Sequence, residues 1–146
     1  DFQTAPYLKP ICIRKGALGY DLPERDMMVS PQHRVLVSND KTTLYFEERE
    51  VLVAAKHLVG LTGIEVSEVG EADYIHLMCE QHEVLLADGI WAESFQPGDM
   101  TLGAMGSEHR KEIFQLFPDL KDAKGQSTYA AARRSLKKHE ATILLQ

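Results

Sequence analysis

Cysteine is scarce: Cys12 and Cys79 are the only two in 146 residues. They are too few for a disulfide framework and lack CxxC metal spacing, so they leave the redox compartment open and read as free thiols. Long apolar runs are missing as well. None approaches the roughly 20 residues that a bilayer-spanning helix needs, which excludes such a helix. Positive charge is thin through the middle of the chain, where Lys41, Arg49 and Lys56 are the only lysines or arginines between residues 41 and 100. Twelve carboxylates share that span, and the net charge is −6. Affinity for nucleic acid comes largely from Lys and Arg neutralising phosphates, so a nucleic-acid partner is not expected. The opening residues, Asp1-Phe-Gln-Thr-Ala-Pro6, have neither the basic nor the apolar region of a signal peptide. An initiator Met is also lacking, and the expectation is a piece of a longer protein. No repeat or low-complexity tract is present. HExxH and paired Cys/His spacings are absent too, so no metal or cofactor is expected.

What is present is ordinary for a globular chain, with 44% hydrophobic and 26% charged residues. At this length one domain hides about two-thirds of the surface that unfolding exposes. Residues 10 to 98 show short β-like runs separated by turn formers, at the spacing of an all-β domain rather than of βαβ units. The runs are Ile11–Arg14, Asp26–Val29, His33–Val37, Val51–Val53 and Gly63–Ser67, with Gly16–Pro23 a loop and Ala55–Leu58 a single helical turn. Thr42–Phe46 also reads as a strand. Ser38-Asn-Asp-Lys41 would join it to His33–Val37 as a hairpin, because Asn and Asp tolerate left-handed backbone. A second, longer hairpin is expected from Tyr74 to Trp91, with the polar Glu80-Gln-His-Glu83 at its bend and Cys79 beside it. Trp91 and Phe95 read as core anchors.

The pattern changes after Pro97-Gly98. Ser107 is placed to cap a helix running to about Phe117, stopped by Pro118. Ser127 is placed to cap a second, in which Ala132, Leu136, Ile143 and Leu144 recur at helical spacing. Arg133, Arg134, Lys137 and Lys138 take its other face, and docking onto the acidic β body would account for the uneven charge. The expected organisation is a β domain over residues 1–100 and a helical extension over residues 101–146 packed on it.

Ser30-Pro-Gln-His33, running into Arg34-Val-Leu-Val37, resembles the Thr-x-x-His block of the Hedgehog/intein, or Hint, autoprocessing fold. Tyr74 to Ser94 resembles that fold's later block, in which an acidic bend with His and a strand ending Gly-Ile lead toward a C-terminal junction. Arg14-Lys-Gly-Ala-Leu-Gly19, Ala55-Lys-His-Leu58, Glu93-Ser-Phe-Gln-Pro-Gly98 and Ser135-Leu-Lys-Lys-His-Glu-Ala141 extend the similarity to a bacterial branch of Hint-containing proteins. The resemblance implies a mainly β, Hint-like fold with a C-terminal pair of α-helices. It also implies an N-to-S or N-to-O acyl shift, in which a Cys or Ser attacks the preceding carbonyl. By residue match His33 would protonate the leaving nitrogen, Ser30 would hold or polarise the scissile amide, and His82 would assist a second step where there is one. An imidazole suits such work because its ordinary pKa is about 6.5.

Two departures from the family pattern shape the expectation. The family's nucleophile lies on an opening strand upstream of Arg14, and the chain as given is expected to lack it, which would leave this piece inactive and confine autoproteolysis to a longer parent. The family's His-Asn pair is replaced by Glu93-Ser94, so the Asn cyclisation of protein splicing is not expected. The alternative is a degenerate scaffold serving as an interaction or secretion-associated module. Other readings stand beside these. Ser30-Pro31 can be a turn entering a strand with His33 a structural residue, and His57, His76, His109 and His139 read as structural. The expected partners are the precursor's own upstream segment and a second copy through an exposed strand edge. The sequence leaves the compartment open, with secretion within a larger bacterial protein one route.

Overall fold

Val51 to Ala54 is apolar at every position, the pattern of a strand covered on both faces. The structure, a computed structural model, describes residues 2, 5–97, 102–103 and 105–146, and only the backbone of residues 123, 127 and 128. All four residues of that strand are buried. The strands in chain order are β1 (Ile11–Ile13), β2 (Met27–Val29), β3 (Arg34–Val37), β4 (Val51–Ala54), β5 (Ile64–Val66), β6 (Val84–Ala87), β7 (Ile90–Glu93) and β8 (Arg134–Ser135). The helices are α1 (Asp40–Phe46), α2 (Ala55–Leu58), α3 (Ser107–Leu116), α4 (Ala123–Thr128) and α5 (Lys138–Leu145). The architecture is mainly β, with two sheets of order β2-β1-β5 and β6-β7-β3-β4-β8. Neighbouring strands are antiparallel except for the parallel β4–β8 pair. No helix among the described residues is long and apolar enough to cross a membrane.

The chain divides into two compact units. Asp1–Ile75, Val84–Glu93 and Arg133–Gln146 form the first, and His76–Glu83 with Ser94–Ala132 the second. Both sheets, α1, α2 and α5 thus lie in the first unit, and the final residues 133–146 belong to it. Its core joins Ile11, Ile13 and Ile64 with Val35, Val53, Leu58 and Leu144, among others. Each such side chain contributes about 1.5–3 kcal/mol through removal from water. The second unit carries α3 and α4, joined by a 3₁₀ turn at Pro118–Lys121. Here α3 follows the expected span, although Gly106 holds the cap position and Ser107 is the first helical residue.

The hairpin expected around Ser38–Lys41 is instead the start of a helix. Asn39 Oδ1 accepts from Thr42 N at 3.1 Å, and the buried Thr42 Oγ1 donates to Asn39 O at 2.7 Å. Short polar side chains that favour turns favour helix N-caps for the same reason, namely local bonding to backbone amides. Leu44 and Tyr45 of α1 are exposed, so this segment has no second face to bury as a strand. β3 pairs instead with β4, with Val37 opposite Val51 and Arg34 opposite Ala54, and on its other side with β7. Asn39→Ala is expected to destabilise the chain by about 1 kcal/mol, lowering its melting temperature by about 2–4 °C. An unchanged melt would show that the cap contributes nothing.

The long hairpin expected from Tyr74 to Trp91 shrinks to β6 and β7, with Ala87 opposite Ile90 and the bend at Asp88-Gly89. Asp88 and Gly89 have φ of 49° and 82°, the left-handed pair that a two-residue hairpin turn requires. A Cβ on Gly89 would press on Leu22 and Glu24. Residues 71 to 83 hold no strand, and Ile75 is 86% exposed. An apolar run with no paired neighbour gains nothing from extending. Trp91 is no core anchor either; it lies half exposed, cross-strand from the exposed Leu86.

The second C-terminal helix begins at Lys138, eleven residues later than Ser127, which falls inside the short α4. Between them β8 adds to β4, and Leu136 N donates to Leu52 O at 2.9 Å. Leu136 and Leu144 are buried while Ile143 is exposed, so the apolar residues that suggested one long helix are divided between a strand end and a shorter helix. The basic residues are partly paired: Arg133 with Glu50 at 2.8 Å, and Arg134 with Glu140 at 2.7 Å. The Arg134 guanidinium also lies 5.2 Å from the Phe46 ring centre.

Candidate active site

Proline presets the backbone angle needed at the second position of a tight turn. Pro31 does so here: His33 N donates to Ser30 O at 3.0 Å, closing a turn that brings the chain from β2 into β3. Such a turn holds its first and fourth Cα atoms within about 7 Å, so Ser30 and His33 are neighbours at its two ends. Both are half-buried. The turn is also tied from outside, because Ala55 N donates to His33 O at 2.9 Å and Lys56 N to Pro31 O at 3.0 Å. These are first-turn amides of α2, which have no partner within their own helix. In donating to the turn they satisfy themselves and fix the backbone on which His33 sits.

An ion pair follows directly. Glu93 Oε1 accepts from Arg34 N and its Oε2 from Arg34 Nη1, each at 3.0 Å. The Glu93 side chain is only 8% exposed, and a charge-assisted pair of this kind fixes geometry as well as adding energy. Ser94 is buried in turn. Its Oγ accepts from Glu83 N at 2.9 Å and its N donates to Glu83 O at 2.8 Å. Glu93 and Ser94 are thus both engaged in structural bonding. The weight of Arg34 and Glu93 was not legible in the sequence, since their pairing spans 59 positions.

His82 belongs to the second unit. It is 3% exposed, and its Nδ1 accepts from Ala132 N at 2.8 Å. Accepting there leaves the ring proton of the neutral imidazole on Nε2. His82 lines a cleft of about 1080 Å³ together with Glu80, Glu112, Leu116, Phe117 and Tyr129. The Tyr129 hydroxyl donates to Cys79 O at 2.6 Å. Burial, with Cys79 and Glu83 adding to it, raises the pKa of that phenol. The structure therefore brings Ser30 and His33 together on one turn of the first unit and sets His82 in a cleft of the second.

His57 is the residue that sequence reasoning passed over. It sits on α2, half-buried, and its Nδ1 is sealed from solvent with no hydrogen-bond partner among the described residues. Burial foremost, then the charges of Lys56, Lys138 and Arg34, hold its pKa below the ordinary value of 6.5. The unfolded chain therefore takes up this proton first as the pH falls. His57 accordingly contributes stability that is full above pH 6.5 and is lost as the pH drops from there toward its folded-state value. Melting curves between pH 7.5 and 5 should show a downward slope that is reduced in His57→Leu; an identical slope in the variant would refute this. No sequence signal marked the residue, because nothing in Ala55-Lys-His-Leu58 shows which ring atom is enclosed. Among the described residues no three His, Cys, Asp or Glu side chains cluster to hold a metal ion.

A family model described as Hint domain matches residues 1–99, a span that includes Ser30, His33, His57, His82 and Glu93. Neither a curated protein nor a solved structure matches the chain.

Proposed function

We propose, because this chain belongs to the Hint domain family, that a longer parent protein cleaves its own backbone ahead of this domain by an acyl shift centred on His33. An upstream Cys or Ser supplies the nucleophile. Its sulfur or oxygen forms a bond to the preceding carbonyl carbon, the carbon–nitrogen bond of that peptide breaks, and a (thio)ester remains. An amide nitrogen leaves poorly unless it is protonated as the bond breaks, and the His33 imidazole delivers that proton. The Ser30 hydroxyl, at the other end of the turn, holds the scissile amide. Water or another nucleophile then takes the acyl group. With Glu93 and Ser94 in place of the family's His-Asn pair, the reaction stops at N-terminal cleavage. The observation that carries this reading is the Ser30–His33 turn, locked by its own bond and by two amides of α2.

Expressing the parent with its upstream segment tests it. A denaturing gel should show a shortened band, and hydroxylamine, which cleaves (thio)esters and leaves amides, should increase it. A parent that stays intact with and without hydroxylamine overturns the reading and leaves the domain an interaction or secretion-associated scaffold.

The chain also pairs with a second copy of itself through an exposed strand edge. In the first unit β6 ends the five-stranded sheet and presents Leu86, beside the half-exposed Trp91 of β7. Unpaired edges with apolar side chains recruit further strands. Light scattering across a concentration series should show a dimer that Leu86→Lys weakens. A monomer at every concentration would end this proposal.

A further inference from the structure

The cleft of about 1080 Å³ takes no part in the chemistry above. The residues that line it all belong to the second unit, and most of them, within residues 112–132, lie beyond the span 1–99 that the family model matches. Its walls are tied together across the sequence. The Tyr129 hydroxyl donates to Cys79 O and Ala132 N to His82 Nδ1, so residues 78–82 are fastened beside residues 129–132. Bonds of this kind keep a site formed before anything enters it, as ligand sites usually are.

The lining has two chemistries. Met78, Ile113, Leu116 and Phe117 supply apolar surface, while Glu80, Glu112 and Asp119 are exposed carboxylates. None of the described residues that line the cleft is a lysine or an arginine. Along α3 and its C-cap both chemistries share one side, since Glu112 and Leu116, like Ile113 and Phe117, are four residues apart and so neighbours on a helix surface. Yet α3 buries none of its ten residues, and Leu116 is 68% exposed. A helix this short is held in water by burial of an apolar face rather than by propensity. Covering Ile113, Leu116 and Phe117 therefore stabilises it.

Size and charge narrow what covers them. Small-molecule sites run from about 300 to about 1,000 Å³, and two turns of an α-helix, about 10 Å across and about 11 Å long, fill about 850 Å³. Carboxylates without a basic neighbour in the lining attract a cationic occupant and repel an acidic one. Met78 adds a flexible side chain that adapts to the apolar groups it meets. We infer that the cleft receives a basic amphipathic helix of another polypeptide. Its apolar stripe lies against Met78, Ile113, Leu116 and Phe117, and its Lys or Arg side chains meet Glu80, Glu112 and Asp119, the groove mode of helix recognition. The inference is independent of the acyl shift, and the chain as it stands is the material that tests it.

The test is fluorescence anisotropy of labelled synthetic peptides titrated with the whole chain. The probe is a helical peptide of about 14 residues, with leucines at i, i+3, i+4 and i+7 and lysines elsewhere. One control scrambles that composition, so that charge is kept and the stripe is lost; another carries glutamate in place of lysine. The probe should bind about tenfold or more tighter than the scrambled peptide, with no binding of the glutamate peptide. Leu116→Lys and Glu112→Lys should each weaken the probe by about tenfold or more. Glu71→Lys, an equal change of charge at an exposed residue of the first unit, should leave its affinity within about twofold. Because Leu116 and Glu112 are exposed, both cleft variants should keep the wild-type melt. Equal binding of the probe and the scrambled peptide, or cleft variants that bind as the wild type does, overturns the inference. So does a chain that binds no probe, and a dimer dispersed by Leu116→Lys would then give the cleft to a second copy.

Discussion

Replacing His33 with alanine in the full-length parent is expected to slow release of the upstream segment by about 10²–10⁴-fold, the usual worth of a positioned general acid. The magnitude follows from the leaving group. Without a proton the nitrogen must depart as an amide anion, and the tetrahedral adduct collapses back to the peptide instead. The substitution leaves the main-chain bonds of the turn intact, since His33 takes part in them through its N and O. Packing around the half-buried ring changes modestly, so the melting temperature of His33→Ala should stay within a few degrees of wild type while the rate collapses. Ser30→Ala should have the smaller effect, because a hydroxyl that holds or polarises the amide assists the step without supplying its proton. Band intensities over time, measured beside the melting curves, decide the matter. A His33→Ala parent that cleaves within twofold of wild type would remove the imidazole from the reaction.

Leu58→Ala is expected to destabilise the fold by about 3 kcal/mol, within the range of about 2–5 kcal/mol for such truncations in cores. For a chain of this size that lowers the melting temperature by roughly 6–12 °C. Leu58 is 1% exposed and joins the same core as Val35 and Val53. Its helix cannot stand alone. Four residues are far below the length at which an isolated helix persists in water, and α2 has no side-chain cap. What holds it is the burial of Ala55 and Leu58 together with the two amides donated to the turn. Truncating Leu58 should therefore also release the His33 carbonyl from Ala55 N. Amide exchange at Ala55 and Lys56 should accelerate beyond the global loss of stability. The neighbouring Lys56 is exposed, and Lys56→Ala should change stability by no more than about 0.5 kcal/mol. Equal melts for the two variants would show that α2 is held by something other than its leucine.

Several elements of the fold were legible in the residues alone. The strands at Ile11, Met27, Val35, Val51 and Ile64 stand where short apolar runs and turn formers placed them, and Ala55–Leu58 is the helical turn its composition suggests. Errors arose where one local chemistry serves two structures. Asn39 is as good a helix cap as a hairpin residue, and its side chain chose Thr42 N. Glu80-Gln-His-Glu83 looks like a bend because apolar runs flank it, yet the left-handed pair a hairpin needs is at Asp88-Gly89. Leu136 and Leu144 share a helical spacing but lie on either side of a break, because β4 had a free edge for β8 to fill.

The Ser30-Pro-Gln-His33 run, which resembles a block of the Hint domain family, is a property of the chain read in order. Ser30, Pro31 and His33 are close enough in sequence for one turn to join them, and a local interaction leaves a local signature. Which neighbours that turn would have is a different kind of fact. The lock on His33 comes from Ala55 and Lys56 and the ion pair beside it from Glu93, while the charges that act on His57 include those of Lys138 and Arg34. Such contacts form between segments tens of residues apart, brought together by burial, which is collective and carries no sequence spacing of its own. Only the packed first unit decides them.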